Sequence, residues 1–338
     1  MEEYNRKKGQ VCWLNYRHYK FSETNNNIIS LYNIMKTLIL NSENVVAGSN
    51  NSKFIYNFPQ GGYTFVAGDV IAIQEIAMYF SAFNINTRYN NKSFSYIWVD
   101  GTTHQVLIPD SFLQVDGINA FLQSVMVANG HYLIDGAGDF VYLLEMVINQ
   151  AQYAVQVNNY IISVALATTN GWVLPPAPTW VLPTNLILPY LVIPSTNNFG
   201  LLIGFSAGQY PAGVIAGVPP AQTQTPAFTT AQSELSDKAP QITPYSTFLV
   251  FCSLVNNKAV IPSQLIYSFT PTDSTFGALQ TYQPSAELGW NKVEAGQYNS
   301  FVIEFRDQLG QPIQFQDPNT LITLYTKNYN DTAILNTK

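Results

Sequence analysis

Three histidines, His18, His104 and His131, are the only imidazoles in the chain, and the last two sit near aspartates. His131 is followed at steps of four by Asp135 and Asp139. On a helix that spacing would gather all three on one face, but Gly136 and Gly138 lie between them and point to a loop. The loop D-G-A-G-D offers carboxylate and backbone oxygens to a weakly held calcium ion, yet too few carboxylates for a strong site. The reading expected here is the turn of a hairpin. His104 lies between Asp100 and Asp110, the residue types of an acid–base pair. No nucleophile accompanies them, and a histidine beside a hairpin turn is the ordinary explanation. Glu75 and Glu145 are the candidate carboxylate pair for glycoside hydrolysis, although carboxylates at sheet edges or interfaces look the same in a sequence. Zinc-ligand spacings, a G-x-x-x-x-G-K phosphate loop and a G-x-S-x-G elbow are all missing from the 338 residues. The expectation is a chain without catalytic, cofactor-binding or metal-ligating residues, that is, not an enzyme.

The elements that would carry these residues read mainly as strands. Aromatic residues make up 14% of the chain, with 21 Tyr and 20 Phe, and they favour pleated surfaces. Alternation predicts strands at 53–58 and 93–99, the second returning at 105–108 through an Asp100-Gly101 turn. Residues 70–83 predict a long strand with one face buried and a bulge or bend near Glu75. One helix is expected, started by Asp116, with Ile118, Phe121, Leu122, Val125 and Met126 on one face, and closed by Asn129-Gly130. Further strands are expected at 131–134, 140–148, 154–157, 160–167, 199–205, 246–255, 264–269, 298–307 and 321–327. Residues 171–194 are proline-rich and read as extended chain lying on a surface. Residues 206–233 are low in complexity and read as a long loop. In 1–50, Ile28, Leu31, Met35, Leu38 and Ile39 fit a short helix, while Leu38 to Leu40 fits a strand equally well. A dozen or so short strands, one inserted helix and regular turn signals make an all-β sandwich, and the helix and long loops favour the jelly-roll arrangement.

Charge restricts the partners. Only 11% of residues are charged, against about a quarter in a typical soluble domain. Residues 93–237 contain no lysine or arginine, and Met146 to Ser233 carries no charge and no histidine. Such a surface cannot offset phosphate charge, which disfavours nucleic acid as a partner of the body. Prolines, glycines and amides interrupt it, and no run of 18 apolar residues exists, so it is not a membrane span. It suits burial against other protein. The first twenty residues carry five basic and two acidic groups, a net of +3, leaving −9 elsewhere for the total of −6. That arm either meets a polyanion or merely solvates a terminus. Its polarity does not match a secretory signal. Cys12 and Cys252 make no disulfide framework and are expected as reduced thiols. The sequons at Asn50, Asn91 and Asn330 read as chance products of an asparagine-rich chain.

A series of short motifs runs in order through the chain: Asp116-Gly117-Ile118, Asn129-Gly130-His131-Tyr132, Phe199-Gly200-Leu201-Leu202-Ile203-Gly204-Phe205 and Gln241-Ile242-Thr243-Pro244. It continues with Cys252 to Asn257 and the ending F-x-D-Q-L-G-Q-P-I-x-F-x-D-P-N from Phe305 to Asn319. Over roughly residues 50–328 this series resembles the penton, or minor capsid, proteins of virophages, polinton-like viruses and related large DNA viruses. The resemblance implies an upright single jelly roll forming a homopentamer at the vertex of an icosahedral virion, next to the major capsid protein, without enzymatic activity or cofactor. The expected division is an arm at 1–50, a jelly roll at 51–328 and a tail at 329–338, with 171–240 an excursion or a small β insertion. On this reading the basic arm faces the genome or an inner membrane, and particles assemble in the host cytoplasm. The alternatives are a lectin-like jelly-roll spike or host-attachment module, for which Asp100–His104 is the place with aromatics beside a carboxylate, and a glycan-active enzyme. Deleting residues 1–45 is expected to leave folded pentamers and impair particle assembly.

Overall fold

The computed structural model describes residues 35–216, 223–258, 261–272, 275–284 and 289–328. The basic arm's charges, Cys12, His18 and the tail at 329–338 lie outside the described residues.

Among the described residues, eight strands and one two-residue strand form two antiparallel sheets. One runs in the spatial order Lys36–Leu40, Thr320–Asn328, Asp69–Tyr79, Leu279–Tyr282, with Asn291–Lys292 also pairing on Asp69–Tyr79. The other runs Lys53–Asn57, Ser300–Arg306, Phe248–Cys252, Leu265–Phe269. Numbered along the chain, the sheets read 1-8-3-6 and 2-7-4-5, which is the jelly-roll order. Period-two patterning makes the strands one-sided. Phe301, Ile303 and Phe305 point inward from one strand, and Thr320, Ile322, Leu324 and Thr326 from another. The inner faces meet through aromatic rings in edge contact, such as Phe54 with Phe305 at 6.0 Å and Phe248 with Phe315 at 5.7 Å. Each ring taken from water contributes about 2–3 kcal/mol. The expected bulge is present. Thr323 pairs with Glu75 and Leu324 with Ile73, so Gln74 faces no partner.

The start of the sandwich differs from the expectation. Lys36–Leu40 is not arm but an edge strand, paired over five residues with Thr320–Asn328, and Leu40 is fully buried. Local spacing could not separate helix from strand here; the partner strand decides it.

Between Tyr79 and Phe248 the chain leaves the sandwich and builds a second core, drawn from Ile85 to Phe205. This is wider than the 171–240 excursion. Its sheets run Gly208–Tyr210, Tyr190–Ile193, Ser93–Ile97, Thr103–Leu107 and Gln232–Leu235, Ala154–Asn159, Leu144–Asn149. The predicted helix spans Val115–Ala128 and buries Ile118, Leu122 and Met126. Gln114, not Asp116, precedes its first turn. Its end is a Schellman turn: Gly130 N–H donates to Val127 and His131 N–H to Met126.

Three further readings change. Residues 160–167 are not a strand; Ser163 caps a helix at Val164–Asn170 by accepting from Leu166 N–H at 3.2 Å. Residues 199–205 are also a helix, Phe199–Ile203, ended by Gly204 at φ +80°. A Cβ on Gly204 would stand 2.3 Å from the Lys238 carbonyl, and one on Gly200 2.3 Å from the Phe205 carbonyl. Those close approaches explain the two glycines of the F-G-L-L-I-G-F motif. The proline-rich stretch is not draped on the surface either. Trp180, Ile187 and Leu188 are buried, and Tyr190–Ile193 pairs with Ser93–Ile97.

Asn84 joins the two cores. Fully buried, it donates through Nδ2 to the carbonyls of Leu113 (2.7 Å) and Ile242 (2.8 Å) and accepts from Leu113 N–H at 2.9 Å. Its own carbonyl accepts from Asn91 Nδ2 at 2.8 Å, so the sequon asparagine Asn91 is buried in the same network. Nearby, Tyr245 Oη donates to the Ala82 carbonyl at 2.9 Å. The outgoing and returning chains are thereby stitched together.

Two outcomes follow. Deletion of residues 1–45 removes the Lys36–Leu40 strand and the buried Leu40, and is expected to cost about 3 kcal/mol or more in a denaturant titration; an unchanged midpoint would show that this strand is dispensable. Asn84→Ala strands the Leu113 and Ile242 backbone groups and is expected to cost about 3 kcal/mol, whereas a neutral result would remove Asn84 from its joining role.

Candidate functional site

The structure brings His104 and His131 together, although they are 27 positions apart in sequence. Their rings meet edge to face, 4.4 Å between centroids at 83°. The Asp100-Gly101 turn sets the hairpin register so that His104 stands opposite Tyr96, with the rings stacked at 5.3 Å. The Schellman turn delivers His131 from the helix end onto the face of Trp98, 4.7 Å away and nearly parallel at 6°. Trp180 meets Trp98 edge-on at 5.2 Å, and its indole N–H donates to the Gly130 carbonyl at 2.7 Å. Five rings thus form one box in the second core.

The polar atoms of the box are mostly turned on one another. His131 Nδ1 lies 2.8 Å from Tyr96 Oη, which also accepts from Asn129 Nδ2 at 3.3 Å. His104 Nε2 lies 2.7 Å from Thr102 Oγ1, and Thr102 donates to Asp100 Oδ1 at 2.5 Å. Trp98 Nε1 is buried without a hydrogen-bond partner. Burial, with the neighbouring His104, pushes the His131 imidazole down to about 4, against the weaker opposing pull of Asp100. Burial also lowers His104. Tyr96 is pushed up to about 12, chiefly by burial. Among the described residues, no serine or cysteine is hydrogen-bonded to either imidazole.

The other sequence candidates lie apart. Asp110 pairs with Lys92 at 2.6 Å and receives Gln314 Nε2 at 3.4 Å. Burial would raise its carboxyl, and the Lys92 contact together with hydrogen bonds from Gln314 and Thr87 outweighs it, so the net direction is down. Asp135 closes a hairpin between Leu133–Ile134 and Phe140–Val141: its Oδ1 accepts from the backbone N–H of Ala137 and Asp139, both at 2.9 Å. That carboxylate serves its own turn. Glu75 lies in a jelly-roll sheet and accepts from Gln283 Nε2 at 3.3 Å. Glu145 lies in a sheet of the second core and accepts from Tyr160 Oη (2.7 Å) and Asn158 Nδ2 (3.0 Å). The two are not a facing pair. Asp100–His104, the place suggested for sugar binding, is occupied by its own aromatic and hydroxyl neighbours. Among the described residues no group of three or more His, Cys, Asp and Glu is arranged to hold a metal. Cys252 is buried in a strand, and burial pushes its thiol up to about 12, which leaves it unreactive. Sequence reading found each histidine but not their contact; the hairpin register was available, whereas the approach of the helix end was not.

The histidine box has a measurable acid signature. An unfolded imidazole titrates near 6.5 and His131 in the fold near 4, so stability is held above pH 6.5 and lost as pH falls towards 4. The loss is expected to reach about 2 kcal/mol at pH 5. Comparing denaturant midpoints at pH 7.5 and 5 for the chain and for His131→Phe checks this; an equal drop in both would assign the acid sensitivity elsewhere.

No protein-family model matches this chain, and no curated protein matches it. Among solved structures it is similar to the mavirus penton protein, at 10% identity and a TM-score of 0.38, covering 87% of this chain and 97% of that one. It is also similar to a chain of the Sputnik virophage, at 9% identity and a TM-score of 0.36, covering 88% and 99%.

Proposed function

We propose that this protein is a structural capsid component that forms a homopentameric vertex of an icosahedral virion, without catalytic activity. The observation that carries the reading is the way charge divides between the two cores. Residues 93–237, nearly all of the inserted body, hold eight acidic and no basic residues, a net of −8. The rest of the chain holds the fifteen basic residues against thirteen acidic ones, a net of +2. A polyanionic genome repels the first body and tolerates the second. An upright jelly roll therefore points its insertion outward, and the basic leading segment faces the genome or an inner membrane. The ordered motif series, and above all the Phe305–Asn319 ending, supports the same family reading.

A ring of five uses two different surfaces of each subunit, matched head to tail. Apolar side chains that stay exposed on the single chain are natural members of those surfaces. Ile148 and Tyr153 are 51% and 75% exposed. They flank a cleft of about 680 Å³ that Val155, Ile242 and Pro244 also line, where the inserted body meets the returning chain. The neighbouring major capsid protein covers the outer flank of the ring, and the virion is the protein's destination.

Electron microscopy of the purified protein tests the proposal. Fivefold rings are expected, with a solution mass of about 190 kDa for five copies of the 37.7 kDa chain. Ile148→Lys is expected to break the ring into folded monomers. A wild-type chain that stays monomeric at all concentrations, alone and with its major capsid protein, would overturn the vertex role.

A further inference from the structure

The inserted body carries a groove of about 440 Å³ that neither the capsid role nor the histidine box uses. It is lined by Tyr142, Tyr160 and Trp172, together with Ile161, Leu166 and Asn170. The size lies within the usual range for small-ligand sites. We propose that this groove binds a neutral saccharide.

The aromatic lining residues come from three different segments. Tyr142 stands between the short strands of the Asp135 hairpin and Leu144–Asn149, Tyr160 follows Ala154–Asn159, and Trp172 follows the Val164–Asn170 helix. Their convergence is therefore a tertiary product and not one strand's outer face. The faces of aromatic rings carry negative quadrupole charge. They match the polarised C–H faces of a pyranose ring, which bears no formal charge. Phe140 extends the same aromatic surface: it is 47% exposed, 6.5 Å from Tyr142 and 4.4 Å from Tyr132.

Electrostatics selects among ligands. No lysine or arginine occurs anywhere in residues 93–237, so phosphate, sulfate and acidic sugars find no counter-charge. The open surface of the groove is almost wholly apolar, so stacking on the aromatic rings carries the contact. Among the described residues, the Tyr142 hydroxyl, the Trp172 indole N–H and Asn170 Oδ1 make no hydrogen bond, while Asn170 Nδ2 is committed to the Leu166 carbonyl at 3.0 Å. Tyr160 is held in place from behind: its hydroxyl donates to Glu145 at 2.7 Å, and that bond, with burial, pushes its phenol up to about 12. Asn158, itself bonded by Ser233 Oγ at 2.7 Å, fixes the same carboxylate oxygen. Such a pre-set aromatic platform keeps the ordering cost of binding low.

The test uses the full-length protein with five neutral hexasaccharides, of glucose in α and β linkage, N-acetylglucosamine, mannose and galactose. Saturation-transfer NMR and tryptophan fluorescence are the readouts. At least one sugar is expected to show saturation transfer and to change the fluorescence at millimolar concentration or below. Trp172→Ala is expected to weaken it at least 10-fold, and Tyr142→Phe about 3-fold, with thermal midpoints unchanged for Tyr142→Phe. No saturation transfer to any of the five, or equal binding by Trp172→Ala, overturns the proposal. So does a Trp172→Ala change that alters only the ring's assembly, because the groove would then be a contact between copies.

Discussion

The fold hangs on a junction in which one buried amide holds two chain segments that are far apart in sequence. Asn84 spends both its donor and its acceptor on backbone groups of Leu113 and Ile242. Those groups sit where loop replaces strand and no ladder satisfies them. Around it the sandwich and the inserted body exchange further bonds. Tyr89 of the insertion reaches Asp307 at 3.4 Å, and the Arg88 guanidinium donates to the Pro312 carbonyl. Asp307 is fully buried, and its Oδ1 accepts from the N–H groups of Leu309 and Gln311. The conspicuous F-x-D-Q-L-G-Q-P ending is thus half turn chemistry and half docking surface for the insertion.

Those particulars explain what could be read without coordinates. The strands at 53–57 and 93–97 showed plain alternation, because alternate residues of each turn towards the core. The bulge opposite Thr323 was legible in the length and interrupting charge of Asp69–Tyr79. The helices at 164–170 and 199–203 were not. Each is short, and so short a run has no period long enough to tell helix from strand. Ser163 and Gly204 were the available signals, a cap and a left-handed stop, and they were outweighed by the β-rich surroundings. The edge strand at 36–40 depended on a partner nearly three hundred residues away. The histidine box repeated the lesson: Tyr96 opposite His104 follows from a turn, whereas His131 arrives through packing.

The absence of cations also gains a location. In the sequence it is a property of residues 93–237; in the structure it coincides with a body that has its own core. The sandwich, in contrast, carries charges of both signs. Within the insertion, polar needs are met mainly by amides and hydroxyls, with Lys92–Asp110 as an ion pair at its start. The chain Asn149, Gln156, Asn158, Glu145 and Tyr160 is one such ladder across a sheet. Amide networks of this kind lose little to salt, since most of their partners carry no charge to screen.

The position of the insertion has a consequence for synthesis. Asp69–Tyr79 pairs with Leu279–Tyr282 and Thr320–Asn328, so the central strand of one sheet leaves the ribosome long before its partners exist. The inserted body is contiguous and is complete once residue 243 has emerged. It can collapse into a finished unit while the sandwich still lacks five of its eight strands. The inserted body then serves as an anchor that holds the ends of the third and fourth strands near each other before either meets its own partners. By bringing its own two ends to Asn84, the insertion shortens the effective loop that the jelly roll must close. A large guest, inserted at the right point, becomes a scaffold for the maturation of its host.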